Sequence, residues 1–178
     1  MPQGKKSGET NNTVQKAPKA ERDIARKSVS QLKTDSAGES VDLWLRDLDD
    51  TMTIAKKNFE IGLYVSAAFY IQMSVEKALK TAIIAFKHEA PLKVHNLVRL
   101  YAEIQDLVKL TDVQVSFLRV LTSASHETRY IDAAPGLPSE IYTKAVVGEY
   151  MNKALPILEN IIARIEVQRS GHKGSNSE

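Results

Sequence analysis

The chain has 178 residues, a length that suits one domain of ordinary size with a sizeable core. Its 43% apolar and 26% charged content is that of a globular protein, and the lack of cysteine excludes disulfides and thiolate metal sites. Net charge is +2, but residues 1–40 hold eight basic against five acidic side chains, so the remainder sits at −1 and lacks the basic excess of a duplex-DNA footprint.

No apolar run behind Met1-Pro-Gln-Gly-Lys-Lys can serve as a secretory signal. No uninterrupted apolar stretch approaches the roughly 18 residues of a membrane span. A cytoplasmic protein with no membrane contact is the expectation. Up to about Gly38 the sequence is rich in Gly, Ser, Asn, Lys and Gln and has no aromatic residue. Such a segment cannot bury enough apolar surface to offset its ordering entropy, so residues 1–38 read as a disordered polar and basic tail. Ile24, Ala25, Val29 and Leu32 fall at helical spacing within it and predict a transient helix.

From Ser40 the pattern turns helical, and residues 39–169 read as one bundle. Ser40 is placed to cap a helix whose apolar stripe is Val41, Trp44, Leu45, Leu48, Met52 and Ala55. The acidic run Asp47-Leu-Asp49-Asp50 reads as a solvated face, not a metal site. Gly62 punctuates the chain before a helix from about Leu63 to Lys87, with Tyr64, Ala67, Ala68, Ile71, Val75, Ala78, Leu79, Ala82 and Phe86 inward. A third helix is expected from Val94 to Lys109, burying Leu97, Leu100, Tyr101, Ile104 and Leu107.

Thr111-Asp-Val-Gln114 has the form of a capping box, opening a helix to about Ser125. A loop over 126–138 follows. Ser139 is placed to cap the last helix, from Glu140 to Arg169, which Pro156 should kink. Residues 170–178 form a frayed polar tail. No segment alternates with period 2, so the fold class is all-α, an up-and-down bundle of four to five helices.

Three polar segments stand out. The first is Gln72-Met-Ser-Val-Glu76-Lys77-Ala-Leu-Lys80, the second His95-Asn96-Leu97, and the third Thr128-Arg129-Tyr130-Ile131-Asp132. Glu76 and Lys80 make an i, i+4 ion pair in the favourable orientation, which needs no further function. His95 can cap the next helix or pack in the core, and Tyr130 can anchor a loop by its hydroxyl. In this order and spacing the three segments resemble those of the HEPN domain, an all-helical module associated with nucleotides and RNA. Ile131 stands where that family usually has proline. The resemblance covers about residues 42–168, including the order of helices.

The resemblance implies a further pair. Active HEPN proteins are metal-independent ribonucleases that carry an Arg and a His separated by four to six residues. Arg119-Val-Leu-Thr-Ser-Ala-Ser-His126 has that form, although Val120 replaces a usual polar residue and Thr128 a frequent tyrosine. On one helix these positions share a face, about 10.5 Å apart along the axis. Histidine exchanges protons near neutral pH, and a permanently charged guanidinium can bind two phosphate oxygens at once.

What the resemblance implies is therefore a homodimer of toxin–antitoxin type. It would cut single-stranded RNA or tRNA through Arg119 and His126 without a cofactor, beside a nucleotidyltransferase antitoxin. The alternative is an inactive HEPN module that binds nucleotide or a partner protein through Lys77, Lys80, Arg129 and Tyr130. In either case Gln72, Glu76, His95 and Asp132 complete the polar motif.

Overall fold

The computed structural model describes residues 37–174, with side chains from 40 to 170. Of the tail expected over 1–38, residues 1–36, with the transient helix, lie outside the described residues, as does the chain past 174; Ala37 and Gly38 belong to the first helix. Six helices follow in order: α1 Ala37–Glu60, α2 Tyr64–Lys87, α3 Leu97–Ala102, α4 Asp112–Glu127, α5 Pro138–Ile141 and α6 Lys144–Gly174. A single 3-10 turn, Ile131–Ala133, lies between α4 and α5, and no strand occurs among the described residues. The expected all-α bundle is present, with α3 and α5 as short connecting pieces between the long helices.

Helix α2 is the centre of the fold. It packs against α1 and α6 on its flanks and against α3 and α4 on its remaining side. Its small residues Ala67, Ala68, Ala78 and Ala82 are wholly buried, which lets the neighbouring helices approach closely. Ile71, Val75 and Leu79 are also fully buried, so their methyl groups supply the apolar area between those alanines.

The turn from α1 to α2 shows how the sequence ends a helix. The Leu63 amide donates to the Asn58 carbonyl at 2.8 Å, and the Gly62 amide to that of Phe59 at 3.2 Å. This is the Schellman pattern, and it places Gly62 in the left-handed region at φ 83°. An added methyl at Gly62 meets nothing nearer than the Tyr64 hydroxyl at 4.0 Å, so the cost of Gly62→Ala is conformational. The expected loss is about 1 kcal/mol, read as a lower urea midpoint with an unchanged slope.

Several expectations are corrected. Helix α1 already includes Ala37, so Ser40 lies inside it and does not cap it. Helix α3 ends at Ala102 and gives way to tighter turns, with i, i+3 bonds from Ile104 to Tyr101 and from Leu107 to Ile104. That tightening rotates the register, so Leu107 is 42% exposed and Val108 is buried in its place. Helix α6 meets the freed carbonyls: Arg164 donates to Leu107 at 3.1 Å and Asn160 to Lys109 at 3.0 Å.

The others concern α6 and the approach to it. Pro138 is pre-set for a first helical position and opens the separate turn α5, so Ser139 does not cap the last helix. Tyr142 leaves helical geometry at φ −86°, ψ 69°, and α6 starts afresh behind Thr143, whose hydroxyl accepts from the Val146 amide at 3.4 Å. Helix α6 then runs through Pro156 as one element to Gly174, past the Arg169 expected as its end.

Candidate functional site

Helix α4 opens with the expected capping box. The Gln114 amide donates to the Thr111 hydroxyl at 3.2 Å, and the Thr111 amide to the Gln114 side chain at 2.9 Å. Phe117, Leu118, Leu121, Ala124 and Ser125 form its buried face. That burial turns Arg119 and His126 outward, where both are exposed along one ridge. Among the described residues the Arg119 guanidinium reaches only the Ser116 hydroxyl, at 3.5 Å, so it is loosely held there.

His126 is better fixed. Its Nδ1 lies 2.9 Å from the Ser125 hydroxyl, which itself donates to the Thr122 carbonyl at 3.1 Å. A hydroxyl has one proton to give, so with that proton on Thr122 the Nδ1 atom is the donor and Nε2 is left to exchange protons. The His126 carbonyl accepts from the amides of Arg129, at 3.0 Å, and Tyr130, at 2.9 Å, which ties the Arg-Tyr loop to the backbone beneath the ring. The next residue, Glu127, accepts the hydroxyl of fully buried Tyr142 at 2.7 Å. Burial first, then the Glu127 carboxylate, push that phenol far above its usual range, so it stays a neutral donor.

A second polar cluster lies on α2. Glu76 is 9% exposed and accepts from Gln72 at 3.1 Å and from Lys80 at 2.7 Å. His95 Nδ1 lies 3.0 and 3.2 Å from its two oxygens. Burial pushes the Glu76 carboxyl up, but the bonds from Lys80 and Gln72, the Lys80 charge and the His95 bond outweigh it. The group is held below its ordinary value of 4.5. An ionised carboxylate only accepts, so His95 Nδ1 carries the proton. The neighbours of His95 complete the join: the Asn96 side chain caps α3, and the amide of fully buried Leu97 donates to the Thr122 hydroxyl on α4 at 3.1 Å.

The remaining predicted residues are dispersed. Lys77 turns to α1, where it pairs with Asp47 and donates to the Thr51 hydroxyl, both at 2.7 Å. Arg129 donates from Nε to the Ser125 carbonyl at 2.5 Å and lies over the Phe69 and Tyr130 rings at 5.3 and 5.5 Å. Tyr130 is 53% exposed, and Asp132 is exposed in the 3-10 turn. Lys77, Lys80 and Arg129 thus each have a partner of their own: Asp47, Glu76 and the Ser125 carbonyl.

Sequence reasoning missed Ser125, Thr122 and Phe69, which hold His126, the start of α3 and Arg129. Only the polar Ser125 on an otherwise apolar helix face was a signal. Beside the ridge, α4 and α6 enclose an open groove of about 520 Å³, lined among others by Val113, Phe117, Val120 and Tyr150. Val113 and Val120 are 72% and 49% exposed. Among the described residues no group of three or more His, Asp or Glu is placed to hold a metal, and no helix is long and apolar enough to cross a membrane.

A family model described as the HEPN domain matches residues 41–167. Among solved structures, TT1696 from Thermus thermophilus is 26% identical, with a TM-score of 0.63 over 70% of this chain and 97% of its own. ST0689, an archaeal HEPN homologue, is 25% identical, with a TM-score of 0.57 over the same shares. The comparison with curated proteins gives no match.

Proposed function

The chain belongs to the HEPN domain family, and from that membership we propose that it is a metal-independent ribonuclease. It acts as a homodimer on single-stranded RNA or tRNA, in a toxin–antitoxin pair whose antitoxin is a nucleotidyltransferase. One observation carries the reading: Arg119 and His126 are exposed on one ridge of α4, with His126 Nδ1 engaged by Ser125. Arg119 binds the scissile phosphate through two guanidinium donors and steadies the charge that builds on its oxygens. His126 transfers a proton at the attacking 2′-hydroxyl or at the leaving oxygen. The attacking group belongs to the RNA itself, so no metal-bound water is required.

Dimerisation has its own support. Val113 and Val120 are exposed apolar residues on the same helix as Arg119, beside the groove floored by Phe117 and Tyr150. Such a surface gains from being covered, and a second copy laid on it brings two ridges together. Light scattering at micromolar concentration is expected to give twice the 19.8 kDa chain mass. A monomer at that concentration removes the composite site.

A second reading draws on Val120 and Thr128, where the chain departs from the active pattern. It is an inactive module that binds nucleotide or a partner protein. RNA cleavage in excess EDTA separates the two, since only the first reading cuts.

A further inference from the structure

We propose that His95, oriented by Glu76, is a second proton-transfer residue of the cleavage site and acts as the base opposite His126. The inference rests on the ribonuclease reading and adds what that reaction needs. Cleavage by a neighbouring hydroxyl requires one group to take a proton and another to give one, and within one protomer His126 fills only one of these roles.

The geometry of His95 is that of an oriented base. Its Nδ1 is fixed on Glu76 at 3.0 and 3.2 Å, while its side chain is 67% exposed. A neutral ring that donates from Nδ1 keeps its lone pair on Nε2, and the carboxylate stabilises the imidazolium formed when Nε2 takes a proton. Glu76 can do this because it is buried, ionised and itself held by Gln72 and Lys80. A purely structural strut has no need of a ring that is two-thirds in solvent.

The placement is equally specific. Two residues on, the Leu97 amide bonds the Thr122 hydroxyl at 3.1 Å. Thr122 lies three residues after Arg119 and four before His126, the spacings that make side chains neighbours on a helix surface. The Leu97 amide, two residues after His95, thus meets α4 between its two functional residues. Both histidines are tied at Nδ1, one by Glu76 and one by Ser125, which leaves an Nε2 on each for the substrate.

The step balances without any further reactant. His95 Nε2 takes the proton of the 2′-hydroxyl, and that oxygen forms a bond to phosphorus. The bond from phosphorus to the 5′-oxygen breaks, and the leaving oxygen takes a proton from the His126 imidazolium. The products are a 2′,3′-cyclic phosphate and a 5′-hydroxyl, and solvent restores both histidines. Glu76 bonds His95 and Lys80 bonds Glu76, with Lys93 and Arg99 the charged residues nearest to His95 in sequence; Glu127, Arg129, Asp132 and Arg119 are those nearest in sequence to His126.

The test compares full-length wild type, His95→Ala, His95→Asn and His126→Ala on a single-stranded RNA in EDTA, as profiles of rate against pH. Asparagine can still donate to Glu76 but cannot accept a proton, so it keeps the strut and removes the base. Both His95 variants are expected to lose on the order of 10²-fold, with the wild-type melting temperature kept in His95→Asn. The acidic limb of the profile, where the base gains its proton, should disappear. A wild-type rate in His95→Asn, or a slowed variant that keeps the acidic limb, makes His95 a strut and overturns the proposal. Loss of activity in His126→Ala leaves the ribonuclease reading standing in that event. An inert wild type overturns both.

Discussion

In single-turnover cleavage of a single-stranded RNA, His126→Ala is expected to lose on the order of 10²–10⁴ in rate, the usual contribution of a positioned acid or base. The fold should survive, because His126 is exposed, the buried face of α4 keeps its side chains, and Ser125 retains its bond to the Thr122 carbonyl. Arg119→Lys should also slow the reaction: a point charge on a flexible stem cannot reproduce a planar fork that meets two phosphate oxygens. Among the described residues Arg119 has only a 3.5 Å contact with Ser116, so neither change should lower the melting temperature measurably. Activity and stability are separable here. Equal rates in wild type and His126→Ala would make the Arg119–His126 spacing coincidental.

Glu76→Ala should cost stability instead, about 3 kcal/mol at pH 7, because it leaves buried cationic and amide groups without their acceptor. Lys80 and Gln72 are the groups concerned; the Lys80 side chain is 13% exposed and Gln72 as a residue 1%. The sign of the pH dependence follows from the carboxyl being held below its ordinary 4.5. The folded state then favours the ionised form, so the contribution is full above the unfolded value and is lost as pH falls through the folded one. Urea midpoints of wild type and Glu76→Gln should therefore lie apart at pH 7, draw together as pH falls below 4.5, and meet only below the folded-state value, where both side chains are neutral. A gap that stays constant from pH 7 to pH 3 would contradict the buried, ionised Glu76.

Local sequence information explains which parts of the molecule are legible without coordinates. The Thr111–Gln114 box, the Gly62 turn, the alanine-rich stripe of α2 and the Glu76–Lys80 pair all rest on local spacings along the chain, and each is present. The displaced boundaries arise where tertiary packing competes with a local signal. Tyr142 breaks the helical run after Pro138 because its ring is buried and its hydroxyl bonds Glu127, fifteen residues earlier. The register at Leu107 and Val108 is similarly tied to Asn160 and Arg164, more than fifty residues away.

The candidate site divides in the same way. Arg119 and His126 share a ridge by helical periodicity alone, which the spacing shows. Lys77 and Lys80 look alike in sequence, yet one is drawn to Asp47 on α1 and the other to Glu76 on its own helix. His95 and Glu76 are nineteen residues apart and meet only because Leu97 is buried against α4. No periodicity encodes that contact.

The chemistry of the cut ends tests the ribonuclease reading most directly. Full-length protein, incubated with end-labelled single-stranded RNA in excess EDTA, is expected to yield 2′,3′-cyclic phosphate and 5′-hydroxyl termini, with no such ends from His126→Ala. Products bearing 5′-phosphates, cleavage that stops when EDTA is added, or an uncut RNA in the presence of wild type would contradict it.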